Sequence, residues 1–196
     1  MNIISRMTKA LCLTLMCGLM LAGPVAAQEE DAAERESRSQ KTKQAQAVSK
    51  DVYDRIQKAQ EAVDAKDYNG ALKLLNSVYN PDKLTEYEQS NVLNYIGFVY
   101  YNMDDVANAI RTYEKMLAIP SLEETLRKQT TYTMAQLYTM QEQYSQALTT
   151  LDKWFVLETN PAPETFILKA QNLYQVQRYA EMIEPIENAM AVAEKR

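Results

Sequence analysis

The 196-residue chain contains no histidine, and its two cysteines, Cys12 and Cys17, both fall within the first 27 residues. Cys/His zinc sites and Ser–His or Cys–His nucleophile pairs therefore cannot be assembled from residues 28–196. Glycine is nearly as scarce. Beyond residue 27 only Gly70 and Gly97 occur, which excludes a glycine-rich phosphate loop. Strict apolar–polar alternation is missing, as are β-rich runs bounded by glycine, so no sheet is expected. What is present is a helical pattern that must be held by packing alone.

The N-terminus reads as a secretory signal. Arg6 and Lys9 supply a positive start, Ala10 to Leu21 form an apolar stretch, and Gly23-Pro24-Val25-Ala26-Ala27 offers small residues for cleavage after Ala27. The stretch is shorter than the roughly 20 residues a membrane span needs. Lipid attachment at Cys17 is disfavoured, because Met16 rather than a small residue precedes it. Both cysteines would leave with the signal, so the expected mature chain has neither disulfide nor thiol despite an oxidising destination. Loss of Arg6 and Lys9 leaves 19 basic against 26 acidic side chains, a net charge of −7 in place of −5. That balance disfavours nucleic acid and anionic lipid as partners. Residues 28–48 lack aromatics and are dense in charge, Gln and Ala. Such a segment cannot bury enough apolar surface to offset its ordering entropy, so it is expected to be a flexible leader; a docking tail is the alternative.

From residue 49 to 196 the apolar residues recur at three and four. Ala71, Ala109, Ala147 and the slot taken by Met182 each follow Tyr68, Val106, Tyr144 and Tyr179 by three residues, at steps of 38, 38 and 35. Periods in that range mark repeat architectures, in which each unit buries its apolar face only against neighbours. Thr85 with Glu88 and Ser121 with Glu124 read as capping boxes. Asn160-Pro161 offers an N-cap with proline behind it, and Asp67 and Asp104 read as caps of second helices. Pro81, Pro120 and Pro161 fall where one pair would end and the next begin. Expected helices are 50–65 and 68–79, 86–102 and 105–118, 122–140 and 143–157, and 161–176 and 179–194. Pro185 would kink the last. The fold class is all-α, with units near 52–85, 86–120, 121–160 and 161–196.

The sequence resembles the tetratricopeptide repeat family over about three quarters of its length. Leu93-Asn-Tyr-Ile96-Gly97-Phe-Val-Tyr100, followed by Ala109, Tyr113 and Met116, carries the likeness. The resemblance implies a right-handed helical solenoid of about four helix–turn–helix repeats. Gly97, Ala59, Ala135 and Ala170 would take the small slot where paired helices cross, and Tyr100 and Tyr138 the large aromatic slot. Residues 97–122, 131–155 and 160–190 also look like secreted repeat proteins that accompany TonB systems. That likeness implies a periplasmic accessory of the TonB–ExbB–ExbD complex. Members of that group continue past the point matching Arg196, so the chain would be a shortened version.

In the tetratricopeptide family the inner surface is lined by the first helix of each pair. Helical spacing then nominates Tyr53, Ile56 and Gln60; Asn91, Asn94, Tyr95, Phe98, Tyr101 and Asn102; Gln129, Tyr132, Gln136 and Thr139; and Ile167, Gln171 and Tyr174. Amides can bond a ligand's main chain, and tyrosines offer rigid contact with a polar tip, which suits an extended peptide or a partner helix. Tyr68, Tyr100, Tyr113, Tyr138, Tyr144 and Tyr179 are expected to pack between repeats, and Trp154 with Phe155 between the third and fourth units. The lysine–asparagine clamp that some family members use for a terminal carboxylate is not expected, because this face offers no lysine or arginine. Glu123, Glu124, Asp104 and Asp105 sit at helix starts, where negative charge is favourable, rather than in a catalytic pair. Met182, Ile183, Ile186 and Met190 form an apolar stripe that invites self-association or a partner.

The expected function is therefore non-enzymatic, with no cofactor or metal: a periplasmic protein-binding adaptor of a TonB system. The alternative is a general scaffold for outer-membrane or envelope assembly. A hydrolytic helical protein would need a convergent carboxylate pair that this mapping does not supply.

Overall fold

The computed structural model describes residues 48–194. The expected signal, 1–27, and leader up to residue 47 lie outside the described residues. Within them the chain is all-α, with eight α-helices, one 3-10 turn and no strand. The helices are α1 (Lys50–Asp64), α2 (Tyr68–Val78), α3 (Glu86–Asn102), α4 (Val106–Leu117), α5 (Glu124–Met140), α6 (Tyr144–Leu157), α7 (Pro163–Gln175) and α8 (Ile183–Ala193), the last preceded by the 3-10 turn Tyr179–Met182. Contacts are heaviest within the pairs α1–α2, α3–α4, α5–α6 and α7–α8. The second helix of each of the first three pairs then meets the first helix of the next.

Each pair closes in the same way. Lys66, Asp104, Glu142 and Gln177 all have φ near +60°. At the first, the Lys66 N–H donates to Val63 O and the Asp67 N–H to Ala62 O, both at 2.8 Å. The same pair of bonds recurs around Asp104, Glu142 and Gln177. This is the Schellman motif, which satisfies the orphan carbonyls at a helix end and normally favours glycine at the left-handed residue. Here four non-glycine residues fill it.

Caps fix where the helices start, and three expectations need correcting. Thr85 and Glu88 do form a reciprocal capping box at α3, and Asp67 accepts from the Gly70 N–H at α2. Asp105, not Asp104, caps α4, because Asp104 is the left-handed turn residue. Ser121 does not cap α5; its N–H and hydroxyl both donate to Glu86 at the start of α3, and Glu123 becomes the cap. Ala162-Pro163, not Asn160-Pro161, opens α7. Pro185 causes no mid-helix kink. The segment starts as a 3-10 turn, so the proline sits in the first turn of α8, where its missing N–H costs no hydrogen bond.

The small residues pack as the repeat demands. Ala59, Ala71, Ala109, Ala135, Ala147 and Ala170 are all buried. One apolar cluster spans α1, α2 and α3 around Ile56, Leu75 and Val92; a second spans α3, α4 and α5 around Leu93, Tyr113 and Met134. Tyr100 packs against both. Trp154 is buried and reaches Tyr132 of the same pair at 4.9 Å, while Phe155 stacks on Phe166 of the next at 5.0 Å. Tyr179, expected in the core, is 55% exposed; its ring meets only Tyr174, at 5.5 Å, among the described rings.

Candidate protein-binding face

Superposing the units by their steps of 38, 38 and 35 residues puts the nominated side chains into registers on α1, α3, α5 and α7. One register holds Gln60, Phe98, Gln136 and Gln171. All four are exposed or half-buried, and Phe98 is 44% exposed. A second, two turns earlier, holds Tyr53, Asn91, Gln129 and Glu164, all exposed except the half-buried Asn91. Tyr95, half-buried, lies between them. These positions form a strip of amides and aromatics in which Glu164 is the one charged side chain.

Two further registers behave differently. Ile56, Asn94, Tyr132 and Ile167 run from buried through half-buried to exposed. Ile56 belongs to the first core cluster, so it does not line a face. The Tyr132 ring is spent on Trp154. In the register of Tyr101, Thr139 and Tyr174, Tyr101 packs against the second cluster. The Thr139 hydroxyl lies 3.0 Å from Oδ1 of Asn172, a fully buried amide on α7. Tyr174 alone stays open, at 55% exposed. The following unit covers Ile56, Tyr101 and Thr139, and Trp154 of the same pair covers Tyr132. On α7 no following unit among the described residues does so, and the Tyr174 ring meets only that of Tyr179 among the described rings.

Several nominated amides already have a local partner. Asn91 donates to Tyr87 O and Asn102 to Phe98 O, each at 2.8 Å. Asn94, Gln129, Gln136 and Gln171 make no side-chain hydrogen bond among the described residues. They remain able to pair with a ligand's main chain.

The strip is held by polar links between units that the sequence pattern did not single out. Buried Glu88 accepts from the Thr85 N–H and hydroxyl at 3.0 Å and from the Ser49 N–H at 2.9 Å, fastening the start of α1 to that of α3. Burial presses its pKa upward, but the bonds from Ser49 and Thr85 outweigh it and hold the carboxyl below the ordinary range. Arg127 donates to Leu117 O and Ile119 O at 3.0 Å, closing the end of α4. Tyr138 donates to Glu114 at 3.0 Å, and burial together with that carboxylate raises its pKa to about 12. Lys128 pairs with Glu158 at 2.8 Å and holds that carboxyl low. The shifted carboxyls thus belong to caps and struts. Among the described residues no cluster of three His, Cys, Asp or Glu could hold a metal, and no helix is long and apolar enough to cross a membrane.

A second open region lies at the end of the stack. Ile167, Gln171 and Tyr174 of α7 share a cleft of about 280 Å³ with Met182 and Ile186. The apolar stripe of α8 adjoins it, with Ile183 61% and Met190 59% exposed.

Comparison with known proteins agrees with this architecture. The family model for anaphase-promoting complex (cyclosome) subunit 3 matches residues 102–189. A putative kinesin light chain from Podosopora anserina with nearly identical TPR-like repeats superposes with a TM-score of 0.62, at 15% identity over 83% of this chain and 93% of that one. The fold is of the tetratricopeptide-repeat type. MamA from Desulfovibrio magneticus RS-1 (residues 41 to the end) gives a TM-score of 0.62 at 15% identity, covering 76% of this chain and 80% of that one. A further MamA structure gives 0.58 at 12% identity, covering 86% and 98%. No curated protein matches the chain. Identities this low speak to the TPR fold alone.

Proposed function

We propose that this protein is a non-enzymatic periplasmic adaptor that captures a protein segment along its first helices, as an accessory of a TonB–ExbB–ExbD system. The TPR-type fold is a protein-interaction scaffold. The observation that carries the proposal is the uncharged register through Gln60, Phe98, Gln136 and Gln171, exposed in three units and half-buried at Gln136. Free amides beside an exposed aromatic suit a polypeptide main chain with few charged side chains. The periplasmic and TonB assignments rest on the expected signal segment and on the likeness of residues 97–122, 131–155 and 160–190 to TonB-associated repeat proteins.

Since Tyr132 is committed to Trp154, the test uses Phe98→Ala with Gln136→Ala. Affinity capture from a periplasmic extract by the native chain should recover TonB, ExbB or ExbD, and the double variant should lose at least about 10-fold of that recovery with an unchanged helical melt. Undiminished capture by the variant would remove the strip from the account. Recovery of envelope-assembly proteins in place of TonB components would replace the transport role.

A further inference from the structure

The terminal cleft is a second surface that meets the strip at Gln171 and Glu164, and the chain itself shows what shape fits it. On the first pair the equivalent face is covered by the first helix of the following unit. That helix enters with an apolar ridge: α3 brings Val92, Ile96 and Val99, all buried, to the cluster it shares with α1 and α2. The cleft between α7 and α8 is lined by Ile167, Tyr174, Met182 and Ile186. Ile183, Ile186 and Met190 form one face of α8 at three- and four-residue spacing.

The fringe is acidic. Glu164 stands one turn before Ile167 on the α7 stripe, and Glu187 lies one turn from both Ile183 and Met190. Both are exposed. The nearby cations are committed elsewhere: Lys169 bonds Asp152 at 2.7 Å and sits over Phe155, while Arg178 pairs with Glu181. No lysine or arginine occurs within Ile183–Ala193.

A second copy fits poorly. Face-to-face pairing would set this acidic fringe against itself. Head-to-tail stacking would need α1 to enter the cleft, but the α1 residues in register with Val92, Ile96 and Val99 are Asp54, Lys58 and Glu61. They offer charge where the cleft needs a ridge. We propose that the α7–α8 cleft receives an amphipathic helix from a partner protein, with an apolar ridge flanked by lysine or arginine.

The test uses the full chain and two labelled 16-residue helical peptides with identical leucine and isoleucine ridges, one flanked by lysine and one by glutamate. Fluorescence anisotropy should show saturable binding of the lysine peptide, and at least about 10-fold weaker binding of the glutamate peptide. Glu164→Lys with Glu187→Lys should reverse that order. Ile183→Asp with Met190→Asp should abolish binding of the lysine peptide although it adds negative charge. Both replaced side chains are exposed, so the melt should hold. Equal affinity for the two peptides, or binding that survives the aspartate pair, overturns the proposal. So does a native dimer in sedimentation that the aspartate pair dissociates, since a second copy would then be the occupant. Phe98→Ala with Gln136→Ala should leave peptide binding unchanged, which separates failure here from failure of the strip.

Discussion

Gly97 offers the sharpest test of how the repeat is packed. It lies in the middle of α3, where alanine would be favoured by about 1 kcal/mol on helix propensity alone. A Cβ at this position would stand 2.6 Å from Cζ, 2.7 Å from Cε1 and 3.0 Å from Cε2 of Tyr113. Carbon atoms pack at roughly 3.5–4.0 Å, so the ring must retreat by about 1 Å. It has little room to do so. Tyr113 is buried on α4, and its cluster includes Ala109, Ile110 and Met116 on the same helix. Overpacking a close-fitted core costs about 1–3 kcal/mol, and a rigid ring met end-on belongs at the upper limit. Subtracting the propensity gain leaves Gly97→Ala destabilising by about 2 kcal/mol, or about 4–8 °C in Tm for a domain of this size. Circular dichroism melts at 222 nm would read the shift. Tyr113→Leu removes the atoms that clash, so in that background Gly97→Ala should be neutral or stabilising, a coupling of about 2 kcal/mol or more. A raised Tm in the native background, or an equal loss in both, would refute the close crossing at Gly97.

Two further substitutions probe the turns and the buried carboxyl. At Glu142, φ is 58°. Glycine there relieves about 1–2 kcal/mol of left-handed strain and returns about 0.4–1 through the unfolded chain, so Glu142→Gly should raise the urea midpoint slightly with an unchanged slope. Glu142→Val should lower the midpoint through a loss of at least about 1 kcal/mol of stability, and midpoints moving in the same direction would contradict the turn geometry. Glu88 has a folded pKa below its ordinary 4.5, so its contribution to stability is complete above that value and is lost as pH falls through the folded one. Glu88→Gln should cost about 1–2 kcal/mol at pH 7 and flatten the fall of Tm below that range; an acid limb identical to the native one would show that Glu88 is not the group being titrated.

Much of the fold was legible because its signals are local. Thr85 and Glu88 lie three residues apart, and the small residues at 59, 71, 97, 109, 135, 147 and 170 mark crossings wherever the helices are drawn. Where the expectations slipped, a distant partner or an adjacent rival decided. Ser121 was drawn off to Glu86, 35 residues away. Of two neighbouring aspartates, Asp104 took the turn and Asp105 the cap. The expected start at Asn160-Pro161 gave way to Ala162-Pro163, where a second proline two residues on takes the first helical position. For the site, helical spacing found the strip but could not tell its centre from its edge. The edge registers of Ile56, Tyr132 and Thr139 are consumed by the next helix or by Trp154, and which side chain reaches that far depends on how the units stack. Asn172 gave no sequence signal at all, since a buried amide on a helix looks like a surface one until its partner is known.

The two apolar clusters run from α1 to α5, whereas α8 buries only Pro185 and Ala189. Units that lean only on their neighbours open from the end with fewest contacts, so amide hydrogens of α8 should exchange with solvent well before those of α3 and α4. Any molecule seated on that final hairpin would slow its opening, and deuterium uptake there would report occupancy even when nothing else in the structure moves.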